Sequence, residues 1–301
     1  METATVSPFG TLLTAMVTPF KKDGSLDVAG AVSLAKHLVK TGHDGIVLNG
    51  TTGESPTTHS PEKAELIAAV VEAVGPQAIV VAGAGSNDTK HSVRMAEQAQ
   101  EAGAHGLLVV SPYYSRPTQA GIVQHITTIA DATDLSVMLY DIPGRTGVKI
   151  ATETYVELAK HEKIVAVKDA TGDVYTAARN LRATNLAWYA GDDSLYLPFL
   201  AHGAVGLVSV VGHVAGKELA LIGQQFKDGQ VAQAFDDFKK LIPLIDVIMG
   251  AGFGAIMIKG ALYSLGLLKD NYLRSPLVPA SQEQIDQIKD VLRELNIKFH
   301  D

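Results

Sequence analysis

The chain has 301 residues and no cysteine, which removes disulfides, thiolate nucleophiles and cysteine-based metal sites from consideration. That absence fits a reducing compartment. Basic residues form no run and are not interleaved with aromatics, so a nucleic-acid surface is not expected. No apolar stretch reaches the roughly 18 residues of a membrane span. The opening METATVSPFG lacks a basic segment followed by an apolar core and is not expected to act as a secretion signal. These absences together point to a soluble cytoplasmic protein. The formal charge is −7, from 32 acidic and 25 basic residues, so any site for an anionic ligand must gather its positive or donor groups locally.

What the chain does contain is a recurrence of short apolar runs. They are LLTAMV (12–17), GIVLNG (45–50), AIVVAG (78–83), GLLVVSP (106–112), SVMLYD (136–141), IVAVKDA (164–170), LAWYAGDD (186–193) and AVGLVSV (204–210). Most are apolar at consecutive positions, as in a parallel strand covered by helices on both sides. Amphipathic stretches separate them. SPEKAELIAAVVEAV (60–74) is read as a helix with Ser60 as cap and Pro61 as its first residue; 89–103 and 118–133 read as helices too. Eight strand–helix units predict an α/β fold, a (β/α)8 TIM barrel, over residues 1–227. No G-x-G-x-x-G opens the first helix, which disfavours the alternative of a doubly wound open sheet. The closing helix is expected near 214–227. Further helical material over 228–301 exceeds what a barrel needs and is expected to pack on it.

In such a barrel, polar residues at the carboxyl ends of the strands line the active site. Here these are Asn49-Gly50-Thr51-Thr52-Gly53-Glu54-Ser55, Ser111–Arg116, Tyr140-Asp141 followed by Arg145, Lys168-Asp169, and Gly191-Asp192-Asp193. GTTGES offers backbone and hydroxyl donors suited to a carboxylate or phosphate, and is no P-loop because no Gly-Lys-Ser/Thr follows. It could equally be an ordinary turn. Arg145 could be a solvated charge or, over the barrel mouth, a bidentate carboxylate holder. Glu54 and Asp169 could be structural, satisfying backbone donors or an arginine. Lys168 ends an apolar strand. Either it snorkels from the rim, or burial biases its amine toward the uncharged, nucleophilic form that attacks a carbonyl. Tyr140, one strand over, could then move protons. His37, His43, His59, His91 and His105 are scattered and show no metal-ligand spacing, so a Schiff-base enzyme acting on a small keto acid is favoured over a metal-dependent aldolase.

GTTGES at 50–55, SPYYSRPTQ at 111–119, YDIPGRTG at 140–147, VKDATGD at 167–173 and AGDD at 190–193 occur in an order and spacing that resembles the dihydrodipicolinate synthase family. That family lies within the pyruvate-dependent Schiff-base aldolase superfamily, which includes N-acetylneuraminate lyase. The resemblance covers nearly the whole chain. It implies a condensation of pyruvate with L-aspartate 4-semialdehyde on the path to diaminopimelate and lysine, with no cofactor beyond the covalent pyruvate imine on Lys168. It further implies that Thr51 and Thr52 bind the pyruvate carboxylate, that Tyr140, Thr52 and Tyr114 form a proton relay, and that Arg145 receives the semialdehyde carboxylate. Val208 would turn its carbonyl toward pyruvate. Tyr114 would enter the neighbouring subunit's site in a homotetramer built as a dimer of dimers.

The chain departs from the commonest bacterial pattern at Asp141, in place of asparagine, at Gly144, in place of serine, and at Asp169, where glutamate is frequent. These substitutions are expected to leave the chemistry intact. Relatives inhibited by lysine hold it at a subunit interface with histidine and glutamate side chains. The matching positions here are Ser60, Lys63 and His91, beside Ser55, Asn87 and Tyr113, so inhibition by L-lysine is expected to be weak or absent. Two rivals share Lys168 and Tyr140: a sialic acid lyase and a 2-keto-3-deoxy-sugar-acid aldolase. The pair Tyr113-Tyr114 and Arg145 favour a carboxylate-bearing aldehyde over a sugar chain. A non-catalytic binding barrel would not need the set Lys168, Tyr140, Thr52 and Tyr114.

Overall fold

The computed structural model describes residues 7–250 and 252–297. Most of the opening stretch read for a secretion signal, and the last four residues of the C-terminal region, lie outside them. The eight apolar runs form eight parallel strands: β1 Leu12–Ala15, β2 Gly45–Leu48, β3 Ile79–Gly83, β4 Gly106–Val110, β5 Ser136–Asp141, β6 Ile164–Asp169, β7 Ala187–Ala190 and β8 Gly206–Ser209. Each pairs with the next, and β8 pairs with β1, closing the (β/α)8 barrel. The open doubly wound alternative is thereby excluded.

Consecutive apolar residues serve two cores because side chains alternate across the sheet. Leu13, Val47, Val81, Leu108, Met138, Ala166, Tyr189 and Val208 fill the barrel interior. Leu12, Ile46, Val80, Leu107, Val137, Val167, Trp188 and Leu207 face the surrounding helices. Phe9 plugs the bottom, with its backbone N–H donating to the Tyr189 hydroxyl at 3.3 Å. Strands β2, β4 and β8 begin with glycine, where the segment leading into β1 crowds them. A Cβ on Gly106 would come within 2.4 Å of the Phe9 ring, and one on Gly206 within 2.1 Å of the Thr11 carbonyl oxygen.

The helices are α1 Val28–Lys40, α2 Ser60–Val74, α3 Thr89–Glu101, α4 Gln119–Asp131, α5 Pro143–Thr146, α6 Thr152–Leu158, α7 Val174–Ala183, α8 Tyr196–Ala201, α9 Gly212–Lys227, α10 Val231–Ile245, α11 Gly254–Ser264 and α12 Gln282–Glu294. Ser60 is not the cap of α2: the helix starts at Ser60 with His59 before it, and Glu62 reaches back to accept from the His59 backbone N–H at 3.1 Å. Thr118 caps α4 through the Gly121 N–H. The closing helix α9 begins at Gly212, earlier than its periodicity suggests, with a break at Ala215. Beyond it, α10 ends in a π-helical turn, and α11 packs against α9 and α12. Ile258, Ala261, Leu262, Ile288 and Leu292 join the same apolar cluster as the barrel strands. No single helix among the described residues is long and apolar enough to cross a membrane.

Candidate active site

Lys168 lies in β6, whose register sets it between Tyr140 of β5 and Tyr189 of β7. Alternation along β6 turns Ala166 and Lys168 into the barrel and Val167 and Asp169 outward. The lysine is 4% exposed, so it does not snorkel from the rim. Among the described residues it makes no ion pair. Its Nζ instead lies 4.4 Å from the centroid of the Tyr140 ring. An amine without a counter-charge, stacked on a phenol inside an apolar barrel, suits a nucleophile with an adjacent proton carrier.

Above this pair opens a cavity of about 640 Å³, lined by Thr51, Tyr113, Tyr114, Tyr140, Arg145 and Phe253 among others. Lys168, Thr52 and Val208 are buried at 4%, 7% and 0% exposure and are not among the lining residues. Thr51 and Thr52 sit in a tight turn after β2, where the Glu54 N–H donates to the Thr51 carbonyl at 3.1 Å and the Ser55 N–H to Gly50 at 3.2 Å. Arg145 rides on the short α5, its guanidinium carbon 4.7 Å from the Phe253 ring centroid. Tyr114 is 91% exposed and held at φ +72°, a conformation uncommon for a bulky residue. Among the described residues no hydrogen bond joins Tyr140, Thr52 and Tyr114; the structure brings Tyr140 to Lys168 and gathers Thr51, Tyr114 and Arg145 around the same cavity.

The dihydrodipicolinate synthetase family matches residues 8–295. The chain belongs to this family. Within the family, 4-hydroxy-tetrahydrodipicolinate synthase 2 of Streptomyces coelicolor is 53% identical over 283 residues, covering 94% of each chain. DHDPS from Cyanidioschyzon merolae, solved with lysine bound, is 38% identical with a TM-score of 0.93, covering 96% of this chain and 99% of that one. The chloride-inhibited dihydrodipicolinate synthase of Acinetobacter baumannii, complexed with pyruvate, is 32% identical with a TM-score of 0.92, covering 97% and 100%. As a dihydrodipicolinate synthetase family member, the chain belongs to the pyruvate-dependent Schiff-base aldolases, a group of lyases.

Several buried polar groups around the family's site escape one-dimensional reading. Asp141 and Asp169 are register partners on β5 and β6, and both face away from the cavity. Asp169 accepts from the Trp188 indole at 2.9 Å and from the Thr171 N–H at 2.9 Å, which is the structural role open to it in the sequence. Asp141 accepts from the Tyr155 hydroxyl at 2.9 Å and the Ile150 N–H at 3.2 Å, while its Oδ1 has no partner. Burial, reinforced by the charge of Asp169, pushes its carboxyl up to about 7. Glu54, the last acid of the turn, pairs with Lys259 from α11 and accepts from the Arg274 N–H at 2.9 Å. Nothing in the local sequence of GTTGES announces partners more than 200 residues away.

Lys63 is 8% exposed, donates to the Ser55 hydroxyl at 3.1 Å and approaches the Met95 sulfur at 3.6 Å. Burial holds its pKa below the usual lysine value, with no carboxylate opposing that shift. Ser60 donates to Gln98 at 2.9 Å.

Proposed function

We propose that the protein is a 4-hydroxy-tetrahydrodipicolinate synthase, condensing pyruvate with L-aspartate 4-semialdehyde in the cytoplasm. The observation that carries the reading is the buried Lys168 amine stacked on Tyr140 beneath a cavity edged by Thr51 and Arg145. Lys168 attacks the pyruvate ketone and water leaves, giving an imine. The imine withdraws electrons, so the methyl carbon loses a proton and becomes an enamine. That carbon attacks the semialdehyde aldehyde, and the oxygen formed takes up a proton. The semialdehyde amine then adds to the imine carbon and displaces Lys168, closing the six-membered ring and freeing the enzyme.

In this reading Tyr140 carries protons next to the imine, Thr52 and Tyr114 extend the relay, and the Thr51–Thr52 turn with Val208 orients pyruvate. Arg145 takes the carboxylate of the second substrate. Its fork and the amides of the turn supply the positive and donor groups that two anions require in an acidic chain. No cofactor is needed, because the imine formed on Lys168 is itself the electron sink. Tyr114, 91% exposed at the edge of the cavity, is suited to a neighbouring subunit's site in a homotetramer arranged as a dimer of dimers.

Two experiments test the assignment. Borohydride reduction in the presence of pyruvate should add one reduced pyruvate to the peptide carrying Lys168; an unlabelled lysine would end the Schiff-base reading. With pyruvate fixed, aspartate semialdehyde should be consumed and N-acetylmannosamine should not. We also infer insensitivity to L-lysine: the Lys63 ammonium already occupies a buried place beside Ser55, and a second cation there would be repelled. A clear inhibition curve at low-millimolar lysine would defeat this inference.

A further inference from the structure

The turn that carries Thr51 and Thr52 ends on Glu54, which is held at φ +56° in the left-handed region. A non-glycine residue stays there only where its surroundings over-determine it. Three hydroxyls secure the backbone: Thr18 donates to the Gly53 carbonyl at 2.6 Å, and Thr57 and Thr58 donate to the Glu54 carbonyl at 3.1 and 2.9 Å. The side chain is gripped separately. One Glu54 oxygen takes the Lys259 ammonium and the other the Arg274 backbone N–H. Lys259 donates as well to the Tyr272 carbonyl at 2.9 Å. Phe20, beyond the end of β1, receives the Lys259 ammonium 4.5 Å and the Arg274 guanidinium 4.2 Å from its ring centroid. The side chains of Glu54 and Lys259 are 0% and 1% exposed, so neither can exchange its partner for water.

We propose that Lys259 is a positioning residue for the carboxylate-binding turn, acting through Glu54. This rests on the reading of Thr51–Thr52 as the pyruvate site. A buried carboxylate with one fixed cation has a single low-energy orientation, and the left-handed kink of Glu54 transmits that orientation to the Thr51–Thr52 amides, two and three residues earlier in the same turn. The helix that supplies Lys259 also follows directly on Phe253, which stacks on Arg145. The C-terminal region therefore holds the turn on one side of the cavity and touches the Arg145 side on the other.

The test compares K259M, and the double variant K259M/E54Q, with the wild type. K259M leaves a buried carboxylate unpaired, so it should lose stability. The double variant buries no unpaired charge and should recover most of the wild-type melting temperature. Its pyruvate KM should nonetheless stay about 10- to 100-fold above wild type, as a small misplacement of binding groups demands. The KM for aspartate semialdehyde should change little. Should K259M fail to fold, the double variant carries the test alone. A folded double variant with wild-type pyruvate KM would overturn the proposal and leave the Schiff-base reading standing. If the wild type itself is not trapped by borohydride with pyruvate, the reading beneath the proposal has failed instead.

Discussion

Lys168 and Asp141 are both buried at strand ends, Lys168 on the inner face of the barrel and Asp141 on the outer. Lys168 lies against the Tyr140 ring and makes no ion pair among the described residues, and its proposed role is that of the nucleophile. Lys168→Ala should therefore abolish borohydride trapping, and Tyr140→Phe should lower kcat by about 100- to 10,000-fold, the range for a lost acid–base group. Arg145→Ala should raise the KM for aspartate semialdehyde by roughly 10- to 100-fold, the equivalent of about 1.5–3 kcal/mol for charged hydrogen bonds, and leave pyruvate trapping intact. Asp141 has a folded-state value of about 7 against 3.8 for the ordinary group. Between those values the unfolded chain holds fewer protons than the folded one, so stability falls as pH rises from about 4 through about 7 and is level above. Asp141→Asn should remove this slope. At pH 8 it should melt several degrees higher than wild type, at roughly 2–4 °C per kcal/mol, while at pH 4 the two should coincide. Equal melting temperatures at pH 8 would count against a strained Asp141.

At the level of elements, the barrel separates stability from chemistry along each strand. β8 begins at Gly206, against the Thr11 carbonyl oxygen at the closed end, and carries Val208 toward the mouth. A methyl at Gly206 meets backbone that cannot swing aside, so Gly206→Ala should cost about 1–3 kcal/mol, the usual range for overpacking. Its kcat per folded molecule should match wild type, because the site lies at the other end. Denaturant titration alongside active-site trapping would separate these two effects. The same division makes α11 unusual among the helices. It packs on the outside of the barrel, yet its buried Lys259 reaches the site through Glu54.

Over the whole molecule, the role proposed for the exposed Tyr114 would tie activity to assembly. If it completes a partner's relay, specific activity should fall on dilution to monomer, and Tyr114→Phe should lower kcat without releasing subunits; sedimentation beside an assay checks both. How far the sequence alone reaches is clear from individual residues. Eight apolar runs point to a parallel sheet covered by helices on both sides, and their number favours a barrel; only the pairing of β8 with β1 excludes the open sheet. The sequence left Lys168 open between a rim charge and a buried nucleophile, and the closed barrel turns it inward beside Tyr140; the motif spacing already pointed to the family. The sequence also left Glu54 and Asp169 open as structural residues, and both make structural contacts. It gave no indication that Lys259 and Arg274 would be the distant partners of Glu54, nor that Asp141 would stand beside Asp169 with an oxygen unmet. Local pattern records which face a residue takes. Only closure of the chain decides which charges, more than 200 residues apart, share one dry space, and there the lack of water makes each pairing consequential.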